Sequence, residues 1–239
     1  MERAGDWETE PLLKLLADDP PQVHLNAPRG VWGAHSSLLR FLAQELRAGS
    51  YTLETGLGLS TAVFAARRTQ HTSVFLGEGE KAALLAWCDA RGVPTEFLEL
   101  LAGSSSEVLP RLDPGALDLV LIDGCHAFPF PQLDWYFAAS RLREGGVVVV
   151  DDVQLPAPWQ LARFLSSDPR WVPIEFNDRW AAFRLASAHG FVEEWTQQRF
   201  FQPADFRVHQ LALQSRKAAR RELRALVATA KRALLAGRR

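Results

Sequence analysis

Five side chains stand where they could act together. Glu54 opens the run Glu54-Thr55-Gly56-Leu57-Gly58-Leu59-Ser60-Thr61, Asp123 and His126 frame Asp123-Gly124-Cys125-His126, and Asp151-Asp152 closes a run of valines. Carboxylates gathered in one cleft repel each other unless positive charge sits among them. Oxygen donors of this kind suit a hard cation such as Mg²⁺, which makes Asp123, Asp151 and Asp152 candidate metal ligands. A metal bound to a hydroxyl lowers its pKa. His126, with an ordinary pKa of about 6.5, could accept that proton at neutral pH. The plainer alternative is that the Asp pair caps a loop, Glu54 caps a helix and His126 is solvated. The two cysteines, Cys88 and Cys125, lack the Cys/His spacing of a zinc site and make no disulfide framework.

For these residues to meet, the chain must bring several strand ends to one edge. Tyr51–Thr55, His71–Leu76, Thr95–Leu100, Leu117–Asp123 and Val147–Asp151 read as strands. Helical runs follow them: Ser60, as cap, to about Gln70; Glu80–Arg91; Ser105–Leu112; Gln132–Arg143, closing at Gly145-Gly146; and Trp159–Leu165. Before them, Pro11–Ala17 and the amphipathic stretch from Ser36 to Gly49 are helical candidates. The alternation implies βαβ units and a parallel sheet. Trp171–Phe176 and Trp180–Leu185 are separated only by Asn177-Asp178-Arg179, too few residues for a crossover, so they must be antiparallel. The fold class is therefore α/β: a Rossmann-like, open, mostly parallel sheet with helices on both faces and a C-terminal antiparallel hairpin.

Glycines let the turn at residues 56–58 bend sharply and approach a ligand at the carboxyl edge of the sheet. The dinucleotide fingerprint asks for Gly or Ala where this chain has Thr61, and Glu54 suits an amine-bearing ligand better than a pyrophosphate. On these residues the sequence resembles the class I S-adenosylmethionine-dependent methyltransferases over roughly residues 34–185. The Asp123-x-x-His126 spacing with the Asp151-Asp152 pair is similar to the metal-dependent O-methyltransferases of that family, including those acting on sugars of natural products. The resemblance implies S-adenosyl-L-methionine as cofactor, with Glu54, Gly56, Gly58 and Ser60 around its methionine part. It implies an acid for the ribose, Glu78 with Glu80 as rival, and Ser104 at the adenine where many relatives carry Gly-Asp. By the same resemblance Asp123 would border cofactor, metal and His126 alike.

The chain is 239 residues long, 47% hydrophobic and 23% charged, with a net charge of −1, which excludes a wholly disordered chain and a wholly basic nucleic-acid binder. Residues 190–239 carry eleven Lys/Arg against four Asp/Glu, +7, leaving −8 for residues 1–189. The chain thereby falls into three segments: an N-terminal extension, 1–35, whose residues 22–35 could fold over the cleft as a lid; a cofactor-binding domain, 36–189; and a basic helical tail, 190–239. The tail reads as a solvated helix docked on the domain or a second subunit, with a peripheral membrane contact as its rival. No nucleic-acid partner is expected. Without a leader or an apolar run long enough for a bilayer, the expected localisation is cytoplasmic.

The expected function is methylation of a hydroxyl on a small molecule or glycan, Mg²⁺-assisted. The alternatives are a nucleotide-dependent oxidoreductase and a non-catalytic binding or scaffold protein of the same fold.

Overall fold

The computed structural model describes residues 7–24, 33–113, 115–187 and 200. The chain divides into two compact units, Met1–Phe191 and Val192–Arg239, and the sheet and its helices belong to the first. Apart from Phe200, the basic tail read over 190–239 lies outside the described residues, as do residues 25–32 of the lid segment, Trp32 among them.

Seven strands form one sheet in the order β3-β2-β1-β4-β5-β7-β6. These are β1 Tyr51–Thr55, β2 Gln70–Phe75, β3 Leu98–Ala102, β4 Leu117–Ile122, β5 Leu142–Val150, β6 Trp171–Phe176 and β7 Ala181–Leu185. β1 to β5 are parallel, and β7 runs antiparallel to both β5 and β6. Asn177 shapes the hairpin, its Oδ1 accepting the backbone N–H groups of Arg179 (2.9 Å) and Trp180 (3.0 Å). The helices are α1 Thr9–Asp18, α2 Ser36–Glu45, α3 Leu59–Ala66, α4 Glu78–Arg91, α5 Ser105–Val108, α6 Phe130–Ala139 and α7 Pro156–Ser167.

Two apolar cores flank the sheet. One joins α1 to α4 with Leu119, Leu121, Val147 and Val149; the other joins α6 and α7 with Val120, Ile122, Val148 and Val150. Adjacent valines of β5 thus enter opposite cores, which is why its sequence is continuously apolar rather than alternating. The N-terminal segment is built into the first core through Leu12, Leu16 and Val23, at 0%, 3% and 1% exposure.

Several boundaries differ from the sequence reading, and three of the differences have a plain physical reason. The helix expected over Gln132–Arg143 runs from Phe130 to Ala139, and Leu142 already belongs to β5. Gly145 and Gly146 serve a kink inside that strand rather than a helix stop. The β4–β5 register shifts there, Gly145 has φ +82°, and a Cβ on Gly146 would lie 2.8 Å from Leu142 Cγ. Ser60 is not the cap of α3. Gly58 is, and its N–H donates to Thr61 Oγ1 (2.9 Å) while Ser60 sits inside the helix. β3 begins at Leu98, because Thr95 is spent on a turn, its carbonyl accepting the Leu98 N–H.

Candidate active site

Strand register alone brings the chemical residues together. Thr55 lies opposite Ile122, and Ile122 opposite Val150, so Gly56, Asp123 and Asp151 leave three neighbouring strands at one level. Neighbouring strands are about 4.8 Å apart. β1 and β4 also flank the point where the strand order reverses, where a crevice opens beyond the carboxyl ends.

The glycine turn is held from below. Gly56 N–H donates to Val74 O (2.8 Å), and Ser73 Oγ donates to Gly56 O (2.6 Å). Glu54 is fully buried and its carboxylate is engaged within the protein. It accepts Ser60 Oγ–H (2.8 Å) and the Thr61 hydroxyl, and His71 Nε2 lies 3.2 Å away. Glu54 and Ser60, both read as cofactor contacts, therefore face each other beneath the turn. Glu54 fixes the start of α3 rather than presenting an oxygen to the cleft. Gly56 and Gly58 line the turn itself.

Beyond β4 and β5, Asp123, His126 and Asp152 each bring one ligand atom within 4.8 Å of the others. His126 Nε2 lies 3.6 Å from Asp123 Oδ1 and 3.3 Å from Asp152 Oδ2, ion-pair distances rather than aligned hydrogen bonds. Asp152 takes φ +53°, which aspartate tolerates, and its Oδ1 accepts a hydrogen bond from Gln154. Asp151 differs from the expected trio: it is 5% exposed, with Oδ1 accepting the Asp152 N–H at 2.8 Å. His126 takes its place in the cluster.

The electrostatics show a shortage of positive charge. Burial, with Asp123 and Asp152 nearby, pushes the Asp151 carboxyl up to about 8. Burial pushes Asp123 up to about 6 against the lowering effect of His126. The Asp123 carboxylate beside it raises His126 despite its partial burial. Oxygen donors with unbalanced charge plus one imidazole are a donor set that a divalent cation fits.

The remaining assignments are spread along the same edge. Glu78 is exposed on the first turn of α4, whereas Glu80 folds back, its Cδ 3.3 Å from the position of a Cβ on Gly77 at the tip of β2. Ser104 caps α5 by position, and its hydroxyl pairs with Ser106 (2.8 Å). Phe128, two residues past His126, is 72% exposed, while Trp135 is buried in the second core. Gln132 Nε2 donates to Ala157 O (2.9 Å), tying the first turns of α6 and α7 together.

Four participants escaped the sequence reading. His71 is an ordinary-looking strand residue until β2 sets it against Glu54. Asp134 is 1% exposed and faces Gly124, with neither carboxyl oxygen in a well-formed hydrogen bond. His24 reaches the glycine turn from far along the chain. Only Thr61 left a local signal, a hydroxyl three residues after the helix cap. A separate cavity of about 240 Å³ at the opposite sheet edge is lined by charges already paired, Arg143 with Asp118 and Arg184 with Glu45.

Comparison with known proteins gives this edge a context. Residues 53–153 match a family described as a methyltransferase domain. Cofactor-bound Rv0187 from MTB superimposes with a TM-score of 0.55 at 19% identity, covering 77% of this chain and 92% of that one. The O-methyltransferase TomG from Streptomyces achromogenes, in complex with SAM, gives 0.58 at 15% identity, covering 78% and 93%. The SAH-bound methyltransferase PaMTH1 from Podospora anserina gives 0.54 at 13%, covering 75% and 88%. No curated protein matches the sequence. Among the described residues no helix is long and apolar enough to cross a membrane.

Proposed function

We propose, from a chain that carries the class I S-adenosylmethionine-dependent methyltransferase fold, that it transfers a methyl group to a hydroxyl of a small molecule or glycan. The supporting observation is the Asp123–His126–Asp152 cluster at the strand ends, beside the glycine turn of β1. Acid, imidazole and turn converge on one crevice, as nucleophilic transfer to an oxygen requires.

The methyl donor supplies an electrophilic carbon on a sulfonium. The acceptor hydroxyl loses its proton to the part-exposed His126 imidazole, the oxygen–carbon bond forms as the carbon–sulfur bond breaks, and a neutral thioether leaves. Asp123 and Asp152 hold the imidazole between them, within 3.6 Å and 3.3 Å. Their charge favours its protonated form once the proton has arrived. The same two carboxylates, with Asp151 behind them, would hold Mg²⁺, which when bound lowers the pKa of a coordinated hydroxyl. A cation held among these acids would offset their pull on the His126 proton and leave the resting ring able to accept. The rigid strand ends supply alignment, an effect that can contribute roughly 7–11 kcal/mol.

The test has two stages. S-adenosylhomocysteine should raise the melting temperature and NAD(P) should not; stabilisation by NAD(P) alone would overturn the reading in favour of an oxidoreductase. Methyl transfer from labelled donor to diol- or catechol-bearing acceptors, with Mg²⁺ and with chelator, then tests the hydroxyl assignment. Cofactor binding without transfer to any hydroxyl compound would favour a non-catalytic binding protein.

A further inference from the structure

The segment leaving α1 is anchored at Asp19. Trp87 Nε1 donates to its carbonyl (2.8 Å), and Arg91 Nε donates to its carboxylate (2.9 Å). Val23 is buried at 1% exposure in the same core as Leu57, Val63 and Leu84. The next residue, His24, sets its ring beside the glycine turn: Cε1 lies 3.6 Å from where a Cβ on Gly58 would stand. A residue thirty-four positions earlier in sequence thus borders the cap of α3.

Resting on the methyltransferase reading, we infer that His24 contacts the cofactor, donating an imidazole N–H to the carboxylate at the amino-acid end of S-adenosylmethionine. Charge dictates which end comes here. The sulfonium and ammonium are drawn to the acids beyond β4 and β5, whereas a carboxylate is repelled by them. The start of α3, with its first N–H groups lacking helical partners, is the favourable place for an anion at this edge. The turn offers few other donors. Residues 54–66 contain no Lys or Arg, and the hydroxyl protons of Ser60 and Thr61 are committed to Glu54. His24 is the polar side chain that stands against Gly58, and it is held by both the Asp19 anchor and the Val23 plug.

The experiment is titration calorimetry on the full chain with two ligands. S-adenosylhomocysteine carries the amino-acid end; 5′-methylthioadenosine keeps the nucleoside and thioether but lacks it. His24→Ala should weaken S-adenosylhomocysteine about tenfold or more, the loss of one charge-assisted hydrogen bond. It should leave methylthioadenosine within about twofold. His24→Gln, which keeps a side-chain N–H, should recover part of the loss. Unchanged S-adenosylhomocysteine affinity in His24→Ala, or equal losses for both ligands, would overturn the inference while leaving the methyltransferase reading intact. If the wild-type chain binds neither ligand, that reading falls first and this one with it.

Discussion

Gly56 rests its α-carbon against the backbone of Asp123: a Cβ there would stand 2.5 Å from the Asp123 carbonyl oxygen. The contact is reinforced by Thr55, whose carbonyl (3.2 Å) and hydroxyl (3.3 Å) both accept the Asp123 N–H. The glycine turn and the acidic loop are therefore one mechanical unit. A shift in either is felt by the other.

Gly56→Ala should be the most damaging small substitution at this edge. Its φ of +107° is a conformation that L side chains rarely adopt, and the new methyl meets backbone that cannot rotate away. Strain of this kind costs about 1–3 kcal/mol before the clash is counted. Thermal unfolding should show a melting temperature lower by at least about 4 °C. S-adenosylhomocysteine binding should weaken in parallel. Gly58→Ala, whose Cβ would meet only His24 at 3.6 Å, should cost less stability. Equal stability losses would mean that the two loops are not coupled through Gly56.

Glu54→Gln separates support of the turn from contact with a ligand. The amide would offer an N–H₂ to a site that receives two hydroxyl donors. One donor would be left facing another in a fully buried setting, which costs about 1–3 kcal/mol. The variant should melt several degrees lower without ligand. A normal melting temperature combined with weakened cofactor binding would instead mean that the carboxylate serves the ligand directly.

The architecture is legible in the sequence because each strand announces itself by composition and each gap by length. The valines of β5 read as a two-faced strand, and three residues between β6 and β7 allow only a hairpin. The row of strand tips is legible too, since Asp123 and Asp151 each follow the last apolar residue of their strand. What stayed hidden depends on side-chain direction and on contacts distant in sequence. A glutamate before a glycine turn looks the same whether it points up to a ligand or down to Ser60 and His71. Glycine pairs stop helices and kink strands alike, so Gly145-Gly146 gave no means of ending the preceding helix early. His24 carries no local pattern at all; only folding of α1 onto the first core delivers it to Gly58.

The acidic cluster predicts how stability varies with pH in metal-free protein. Asp151 and Asp123 are raised to about 8 and about 6, above the unfolded value of 3.8. The folded state thus holds protons that the unfolded state has released, and stability falls as pH rises from about 4 through 8. His126, also raised, adds to the same trend: its favourable contact with the acids is present at low pH and is lost as the ring deprotonates. In chelator, the melting temperature should decline across this window. Mg²⁺ should restore it more at pH 8 than at pH 5, because the cation replaces the missing protons. Asp151→Asn should flatten the decline and reduce the Mg²⁺ effect. A melting temperature that rises from pH 5 to 8 in chelator would contradict this charge balance.

Asp134 provides a test away from the acidic cluster. Its carboxyl is 1% exposed, lies against Gly124, and is pushed up by burial, with only partial relief from Ser105 and Thr55. An ionised acid in that position costs folding free energy, and the cost grows once the pH exceeds its unfolded pKa. Asp134→Asn keeps the shape and removes the charge. The variant should therefore match or exceed the wild type in melting temperature at pH 8, with the advantage shrinking toward pH 4, where the wild-type carboxyl is itself neutral. Asp134→Leu should be less stable at both pH values, because it fills polar space beside Thr55 and Gly124 with a branched side chain. If Asp134→Asn instead loses stability as pH rises, the carboxylate has an ionic partner in the folded protein, and its place beneath the Asp123 loop must be stabilising in charged form.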